Sequence, residues 1–296
     1  MNSSTKYVFV GNREYVLKEM IRMGLNITKV WVMENSFLHK KLLNDRFIEY
    51  SVAKSKKEFI EELIQTDFDV LVSNGCKYIL PITELKERKV RTDILFINVH
   101  PSCLPDLKGM DPINGACLFG RSGGATCHYM DDGIDTGSII SRIEIPYSSD
   151  IDAGLLFQLS FKAEVAVFRK AVSQDFKLLE NVSIPEDTIY YSISTNDLVV
   201  DLSKGVDYLL RQSRAFGYGS KGVLIKIGGN EYKFYSAGEI NNPYVTNLFK
   251  DIPDGQIGIA FEHTVIFRLN DRVVRLNQLS IDNASALEGV SIDLSF

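Results

Sequence analysis

The 296-residue chain has few cysteines that could form disulfides or bind metal, and it has no long apolar run that could cross a membrane. Its four cysteines form no CxxC pair, and no zinc signature is present. No apolar run approaches the roughly 20 residues of a membrane helix. The start, MNSSTKYVFVGN, lacks the basic and apolar segments of a signal peptide. We therefore expect no metal, no membrane contact and a location in the reducing cytoplasm.

Two further absences narrow the function. The net charge is -5, so the chain has no overall electrostatic attraction to nucleic acid. The turn after the first predicted strand reads GNREYV and has no GxGxxG, and the chain has no GxxxxGK[ST], so nicotinamide, flavin and P-loop chemistry lose support. This turn can still contact a ligand, because open parallel sheets bind at the carboxyl ends of their strands. Asn12 is therefore a candidate substrate contact.

The first third of the chain alternates strand-like and helix-like segments, which predicts an α/β domain with a Rossmann-like parallel sheet. The predicted strands include Tyr7–Val10, Phe47–Val52, Asp69–Ser73 and Ile94–Val99. Beyond Gly124, two more strand-like segments flank the loop DDGIDTG, and a long amphipathic helix follows. These features predict a first domain over residues 1–185.

Residues 186–296 have a different pattern. A polar, irregular stretch around Asn181–Thr195 marks the boundary, and a helix is predicted over Ser203–Ala215. Short alternating strands follow, and Gly228-Gly229 is a hairpin signal. We expect a smaller β-rich domain that resembles an open barrel.

Three polar residues suit acyl transfer. Asn98 and His100 stand at positions i and i+2 of a predicted strand, so their side chains share a face. An amide there can donate to a developing oxyanion, and an imidazole can accept a proton near neutral pH. Asp135, on a glycine-flanked loop, can orient or charge-stabilise the imidazole. The residues alone leave a second interpretation open, a buried structural histidine and a loop-capping aspartate.

A longer motif contains these three residues. The run N-V-H-P-S-x-L-P-x-x-x-G, followed by H-x-x-D-x-G-I-D-T-G-x-I-I, resembles the formyltransferases that use 10-formyltetrahydrofolate. In that family the catalytic residues are an asparagine, a histidine and an aspartate. The resemblance therefore implies that Asn98, His100 and Asp135 are catalytic. His128, in the second motif, either supports the folate site or packs in the core.

The resemblance also implies a site for 10-formyltetrahydrofolate built largely from backbone groups of two segments. The implied residues are Cys76, Tyr78, Ile79, Leu80, Asp131, Asp132, Gly133 and Ile134. Core packing is the alternative for Ile79 and Leu80. Lys77 is a candidate for binding a substrate phosphate, with a solvated lysine as the alternative.

The family divides by the acceptor of the formyl group. Glycinamide ribonucleotide formyltransferases resemble only the α/β part of this chain. Residues 190–296 carry 10 Lys/Arg and 12 Asp/Glu, whereas a domain that binds tRNA should have a basic excess. The run R-A-F-x-x-x-x-x-G-V at residues 214–223 resembles the C-terminal domain of bacterial sugar formyltransferases. These features favour a sugar acceptor.

The residue after Gly109 refines this hypothesis. Formyltransferases of the lipid A aminoarabinose pathway carry an arginine there, whereas this chain has Met110, whose thioether suits the methyl group of a deoxy sugar. The resemblance thus implies a nucleotide-linked 3- or 4-amino-dideoxyhexose, for example a dTDP sugar, in the biosynthesis of O-antigen or another lipopolysaccharide component, and a homodimer. Methionyl-tRNA formyltransferase is the alternative. A binding module without catalysis and a formyl-folate hydrolase also stay open.

Overall fold

The computed structural model describes residues 5–42, 49–182 and 186–293, which divide into two compact units. Unit 1 comprises Met1–Pro112, Ser122–Pro146 and Phe157–Tyr191. Unit 2 comprises Ile113–Arg121, Tyr147–Leu156 and Ser192–Phe296. The predicted boundary at 185/186 adjoins residues 183–185, which lie outside the described residues, and it stays a prediction.

Strands and helices alternate along the first part of the chain. The strands are β1 (Lys6–Gly11), β2 (Asn26–Met33), β3 (Ser51–Ala53), β4 (Val70–Asn74), β5 (Leu95–His100), β6 (Gly123–Tyr129) and β7 (Ile139–Ile145). The helices are α1 (Tyr15–Arg22), α2 (Phe37–Leu42), α3 (Lys56–Gln65), α4 (Ile82–Lys89), α5 (Pro112–Phe119) and α6 (Ala153–Ser173). Of the strand predicted at 47–52, residues 47 and 48 lie outside the described residues, and the strand found there covers Ser51–Ala53.

The seven strands form one sheet in the order β3-β2-β1-β4-β5-β6-β7. The first five are parallel, and β6 and β7 are antiparallel to their neighbours. Alternate residues of β1 enter different cores: Tyr7 and Phe9 one, Val8 and Val10 the other. Both faces are therefore covered, which explains the continuous apolar runs and confirms the predicted α/β class.

This topology determines where a ligand can bind. The chain continues from β1 to β2 on one side, whereas β4 lies on the other side of β1. The segments that leave β1 and β4 therefore diverge and open a cleft at the carboxyl ends of these strands. Asn12 and Gly75 follow β1 and β4 directly and both line this cleft.

The register of β5 orients the predicted catalytic residues. Ile97 and Val99 point into one core, so Asn98 and His100 lie on the opposite face. In the antiparallel pairing with β6, Asn98 is opposite His128. Pairing with β6 therefore brings a second histidine next to the asparagine.

Unit 2 contains the β-rich part of the chain, as predicted. Its elements after residue 200 are α7 (Gly205–Phe216), β8 (Val223–Ile227), β9 (Asn230–Phe234), β10 (Ser236–Ile240), α8 (Pro243–Leu248), β11 (Ile257–Phe261), β12 (Thr264–Leu269) and β13 (Arg272–Asn277). Strands β8 and β9 form the predicted hairpin, with Ile227 paired to Asn230 across the two glycines. The other four form an antiparallel sheet in the order β10-β13-β12-β11.

Two further types of feature are absent from the described residues. Within them, no helix has both the length and the apolar character needed to cross a bilayer. Nor does that part of the chain group three or more His, Cys, Asp or Glu side chains as metal ligands. All four cysteines are free thiols.

Candidate active site

The structure brings Asn98, His100 and Asp135 together at the end of β5. Asp135 Oδ1 lies 3.3 Å from Asn98 Nδ2 and 3.6 Å from His100 Nδ1. The His100 and Asp135 side chains are 8% and 11% exposed, so solvent screens their interaction weakly. An amide, an imidazole and a carboxylate in mutual contact can donate to an oxyanion and move a proton.

The loop between β6 and β7 holds Asp135 in place. The backbone of Asp135 is in the left-handed region, with a φ of 53°. Asp135 Oδ2 accepts a 2.9 Å hydrogen bond from the Gly109 N–H. Burial raises the pKa of Asp135, but its interaction with His100 and the hydrogen bond from the Gly109 N–H oppose burial, and the pKa is about 2. The Asp135 carboxylate is therefore ionised at neutral pH.

His100 is the most buried of the three residues. Its Nε2 lies 3.3 Å from the Leu107 carbonyl oxygen, so both ring nitrogens face oxygen acceptors. Burial lowers the pKa of His100 below its ordinary value, and the charge of Asp135 opposes that shift. The lowered pKa favours the neutral imidazole, which can accept a proton.

The Asn98 amide is held from two sides. Its Nδ2 donates to His128 Nε2 at 3.1 Å and to Asp135 Oδ1 at 3.3 Å. Because His128 Nε2 accepts, the His128 proton is on Nδ1, which donates to the Tyr129 carbonyl at 2.7 Å. His128 therefore orients the Asn98 amide, a contact that the sequence did not predict.

These shifts predict a titration that NMR can measure. In protein labelled at histidine, the His100 ring is expected to titrate below the ordinary pKa of about 6.5. Asp135→Asn should lower the His100 pKa further, since it removes the charge that stabilises the imidazolium. The chain has only four histidines, and the signal lost in His100→Asn assigns this one. A His100 pKa above 6.5, or one that rises in Asp135→Asn, would contradict this account.

A cleft of about 310 Å³ opens beside the three residues. Most of the residues singled out from the sequence line it, and they are Asn12, Cys76, Lys77, Tyr78, Ile79, Leu80, Asn98, His100, Met110, Asp131, Gly133, Ile134 and Asp135. Ile79 and Met110 are exposed, whereas Leu80 is buried. Backbone groups and half-exposed apolar side chains thus form much of the cleft surface.

Asp132 is placed differently from its neighbours. Its carboxylate accepts from the Thr83 N–H at 3.1 Å and from the Thr83 hydroxyl at 2.5 Å, at the start of α4. It lies against a second, shallower depression rather than the main cleft. Its side chain therefore ties the loop that carries Asp135 to α4.

The cysteine of the cleft is not activated. Burial raises the pKa of the Cys76 thiol to about 11, and its Sγ accepts from the Tyr78 N–H at 3.4 Å. A nucleophilic cysteine needs a lowered pKa. Cys76 therefore lacks the lowered pKa of a nucleophilic cysteine.

Sequence reasoning missed a buried polar cluster next to the cleft. Glu164 of α6, wholly buried, forms a 2.7 Å ion pair with Arg13, which follows β1 and lines the cleft. Burial raises the pKa of Glu164, and Arg13 opposes that shift. Asn74 Nδ2 donates to the Val99 carbonyl at 3.0 Å and so fixes the peptide that joins Val99 to His100. The sequence offered one signal of this cluster, which is the position of Glu164 within the apolar stripe of α6.

The chain is similar in sequence to formyltransferases. Residues 32–172 match the family model described as formyl transferase. A methionyl-tRNA formyltransferase from Clostridioides difficile (strain 630) is 31% identical over 140 residues, 47% of this chain and 43% of that protein. The chain spans about half the length of the curated relatives that it matches first.

The same fold occurs in solved structures. The N-formyltransferase from Helicobacter canadensis, in complex with folinic acid and dTDP-3-aminofucose, has a TM-score of 0.67 at 18% identity, covering 93% of this chain and 99% of that one. A 4-N formyltransferase from Francisella tularensis has a TM-score of 0.63 at 23% identity, covering 78% and 96%. The chain therefore shares the fold of these two structures.

Proposed function

We propose that this protein transfers a formyl group from 10-formyltetrahydrofolate to the amine of a nucleotide-linked amino-dideoxyhexose. The convergence of Asn98, His100 and Asp135 at the floor of one cleft carries this proposal. The match of residues 32–172 to the formyl transferase family model agrees with it. Each of the three residues has a separate part in acyl transfer.

Several observations support a sugar acceptor. The solved structures with this fold include an N-formyltransferase from Helicobacter canadensis in complex with dTDP-3-aminofucose and a 4-N formyltransferase from Francisella tularensis. Residues 190–296 have no basic excess, which tRNA binding requires. Methionyl-tRNA formylation is the second candidate, since the curated relatives at about 31% identity carry that name.

The cleft suits a folate as formyl donor. Ile79 and Ile134 present half-exposed apolar side chains beside the backbone of two loops, and such surfaces bind flat, largely apolar groups with a few backbone hydrogen bonds. Asp131 accepts from the Gly133 N–H at 3.1 Å and from the Thr136 hydroxyl at 2.6 Å, which fixes the turn. When bound, the donor supplies the activated formyl carbon.

His100 acts on the proton of the attacking amine. The amine nitrogen forms a bond to the formyl carbon, and the bond from that carbon to the folate nitrogen breaks. Neutral His100 accepts the proton that the amine loses and returns it to the leaving nitrogen. Asp135, ionised beside His100, stabilises the imidazolium between these steps.

Asn98 stabilises the oxyanion that forms on the formyl oxygen. Its bond to His128 is the shorter of its two, at 3.1 Å, and keeps the amide in place. The 3.3 Å contact with Asp135 is the weaker one, and the developing oxyanion replaces it as acceptor. A preoriented donor is worth about 3–4 kcal/mol to such a step.

A spectroscopic assay tests the proposal. It follows loss of 10-formyltetrahydrofolate with a panel of dTDP-linked 3- and 4-amino sugars, with methionyl initiator tRNA and without acceptor. Turnover with one amino sugar is the expected result. Turnover with the tRNA alone would favour the second candidate, and consumption without acceptor would indicate a hydrolase. Donor binding without consumption in any arm would indicate a binding module.

Assembly and location belong to the same proposal. We expect a homodimer, which light scattering of the purified protein measures directly. We also expect the enzyme in the cytoplasm, where reduced folates and nucleotide sugars are its substrates, in a pathway that builds a surface polysaccharide. Fractionation of cells that express the full chain checks the location.

A further inference from the structure

Residues 189–191 are fastened along the loop that precedes α5. The Lys108 N–H donates to the Ile189 carbonyl at 2.9 Å, and the Tyr191 N–H donates to the Lys108 carbonyl at 2.8 Å. The Ile189 N–H also donates to Asp106 Oδ1 at 2.8 Å. The backbone on both sides of Tyr190 is thus fixed, yet its side chain is 55% exposed and lines the main cleft.

The Tyr190 ring lies over Gly109. Two of its ring carbons occupy the space in which a side chain at Gly109 would begin, 3.0 and 3.1 Å from that position. Gly109 has a φ of 104°, and its N–H donates to Asp135 Oδ2. The Tyr190 ring therefore packs on the residue, Gly109, whose N–H binds the carboxylate of Asp135.

Met110 extends this surface. It is 79% exposed and lines the same cleft. Tyr190 and Met110 thus give the cleft an aromatic and an apolar side chain, the kinds that commonly line ligand pockets. Because the backbone of Tyr190 is already fixed, the protein loses little further conformational entropy when a ligand binds against the Tyr190 ring.

We propose that Tyr190 binds the apolar face of the acceptor's sugar ring and so determines which sugars react. This inference rests on the proposed function. The amine must reach His100 and Asp135, and the sugar carries the amine, whereas a ribose and two phosphates separate the base from it. The aromatic ring beside Gly109 therefore meets the sugar and not the base.

The test compares Tyr190→Ala, Tyr190→Phe and the control Phe37→Ala. Phe37 is an exposed aromatic residue of unit 1 that does not line the cleft. In the formyl-folate assay with dTDP-3-aminofucose and dTDP-4-amino-4,6-dideoxyglucose, Tyr190→Ala should raise the KM of the better acceptor about tenfold. Its kcat and the donor KM should change little. Tyr190→Phe keeps the aromatic face and should retain the wild-type KM, as should Phe37→Ala.

Titration calorimetry with dTDP alone separates the sugar from the base. Equal affinity of dTDP for the wild type and Tyr190→Ala is expected, and loss of dTDP affinity would assign Tyr190 to the base and overturn the proposal. A fall in kcat at unchanged KM would instead make Tyr190 a support of Gly109, which also contradicts it. Unchanged kinetics in Tyr190→Ala would reject this inference alone. Absence of wild-type turnover and binding with both sugars would reject the proposed function and this inference together.

Discussion

Replacing His100 with asparagine is expected to lower kcat by a factor of about 10²–10⁴, the range of general acid–base catalysis. The substitution removes the group that moves the proton but keeps a polar side chain facing the Leu107 carbonyl and Asp135. Folding should therefore change little. Single-turnover and steady-state formyl transfer measure the loss, and thermal unfolding monitors the fold.

A matched control makes this result specific. His39 accepts from the Asn35 N–H at 3.1 Å in the first turn of α2 and does not line the cleft. His39→Asn should leave kcat unchanged. If His100→Asn turned over at the wild-type rate, the assignment of His100 would be wrong, whatever the acceptor.

The largest loss of stability is expected from Glu164→Ala. Glu164 is wholly buried and pairs with Arg13, whose side chain is only 18% exposed. Removing one partner of a buried pair leaves an uncompensated charge, which costs about 3–5 kcal/mol. That is a large share of the roughly 5–15 kcal/mol by which proteins are stable. Urea unfolding of the two proteins measures the difference.

A double variant separates the pair from the space that it fills. Replacing Arg13 and Glu164 together by methionine removes both charges and keeps most of the volume. This double variant should be more stable than Glu164→Ala. If the double variant lost as much stability as Arg13→Met and Glu164→Met lose in sum, the two charges would not interact. Asp67→Ala, at an exposed ion pair with Lys6, is the control and should have a far smaller effect.

Much of the fold follows from local sequence patterns. Continuous apolar runs such as Val70–Val72 predicted strands covered on both faces, and the i, i+2 spacing placed Asn98 and His100 on one face. The glycine pair at 228–229 predicted its hairpin correctly. Strand order was not predicted, because it depends on pairings between residues far apart in the sequence.

The site was harder to predict where it depends on such distant pairings. Arg13 and Glu164 are 151 positions apart, and no local periodicity relates them. His128 lies next to Asn98 because β6 pairs with β5 in one register, which sequence spacing did not give. Asp131 and Asp132 are adjacent residues of the same type, but the loop geometry directs their side chains to different partners.

The arrangement of unit 2 affects how the chain is made. Asn114, wholly buried in unit 2, donates to the Ala215 carbonyl at 2.7 Å, 101 residues further on. At about 5–20 residues per second, a ribosome takes roughly 5–20 s to synthesise that partner. During that time the Asn114 amide of α5 lacks its partner, the Ala215 carbonyl. A nascent chain stalled before Ala215 should therefore be a better chaperone substrate than one that has passed it.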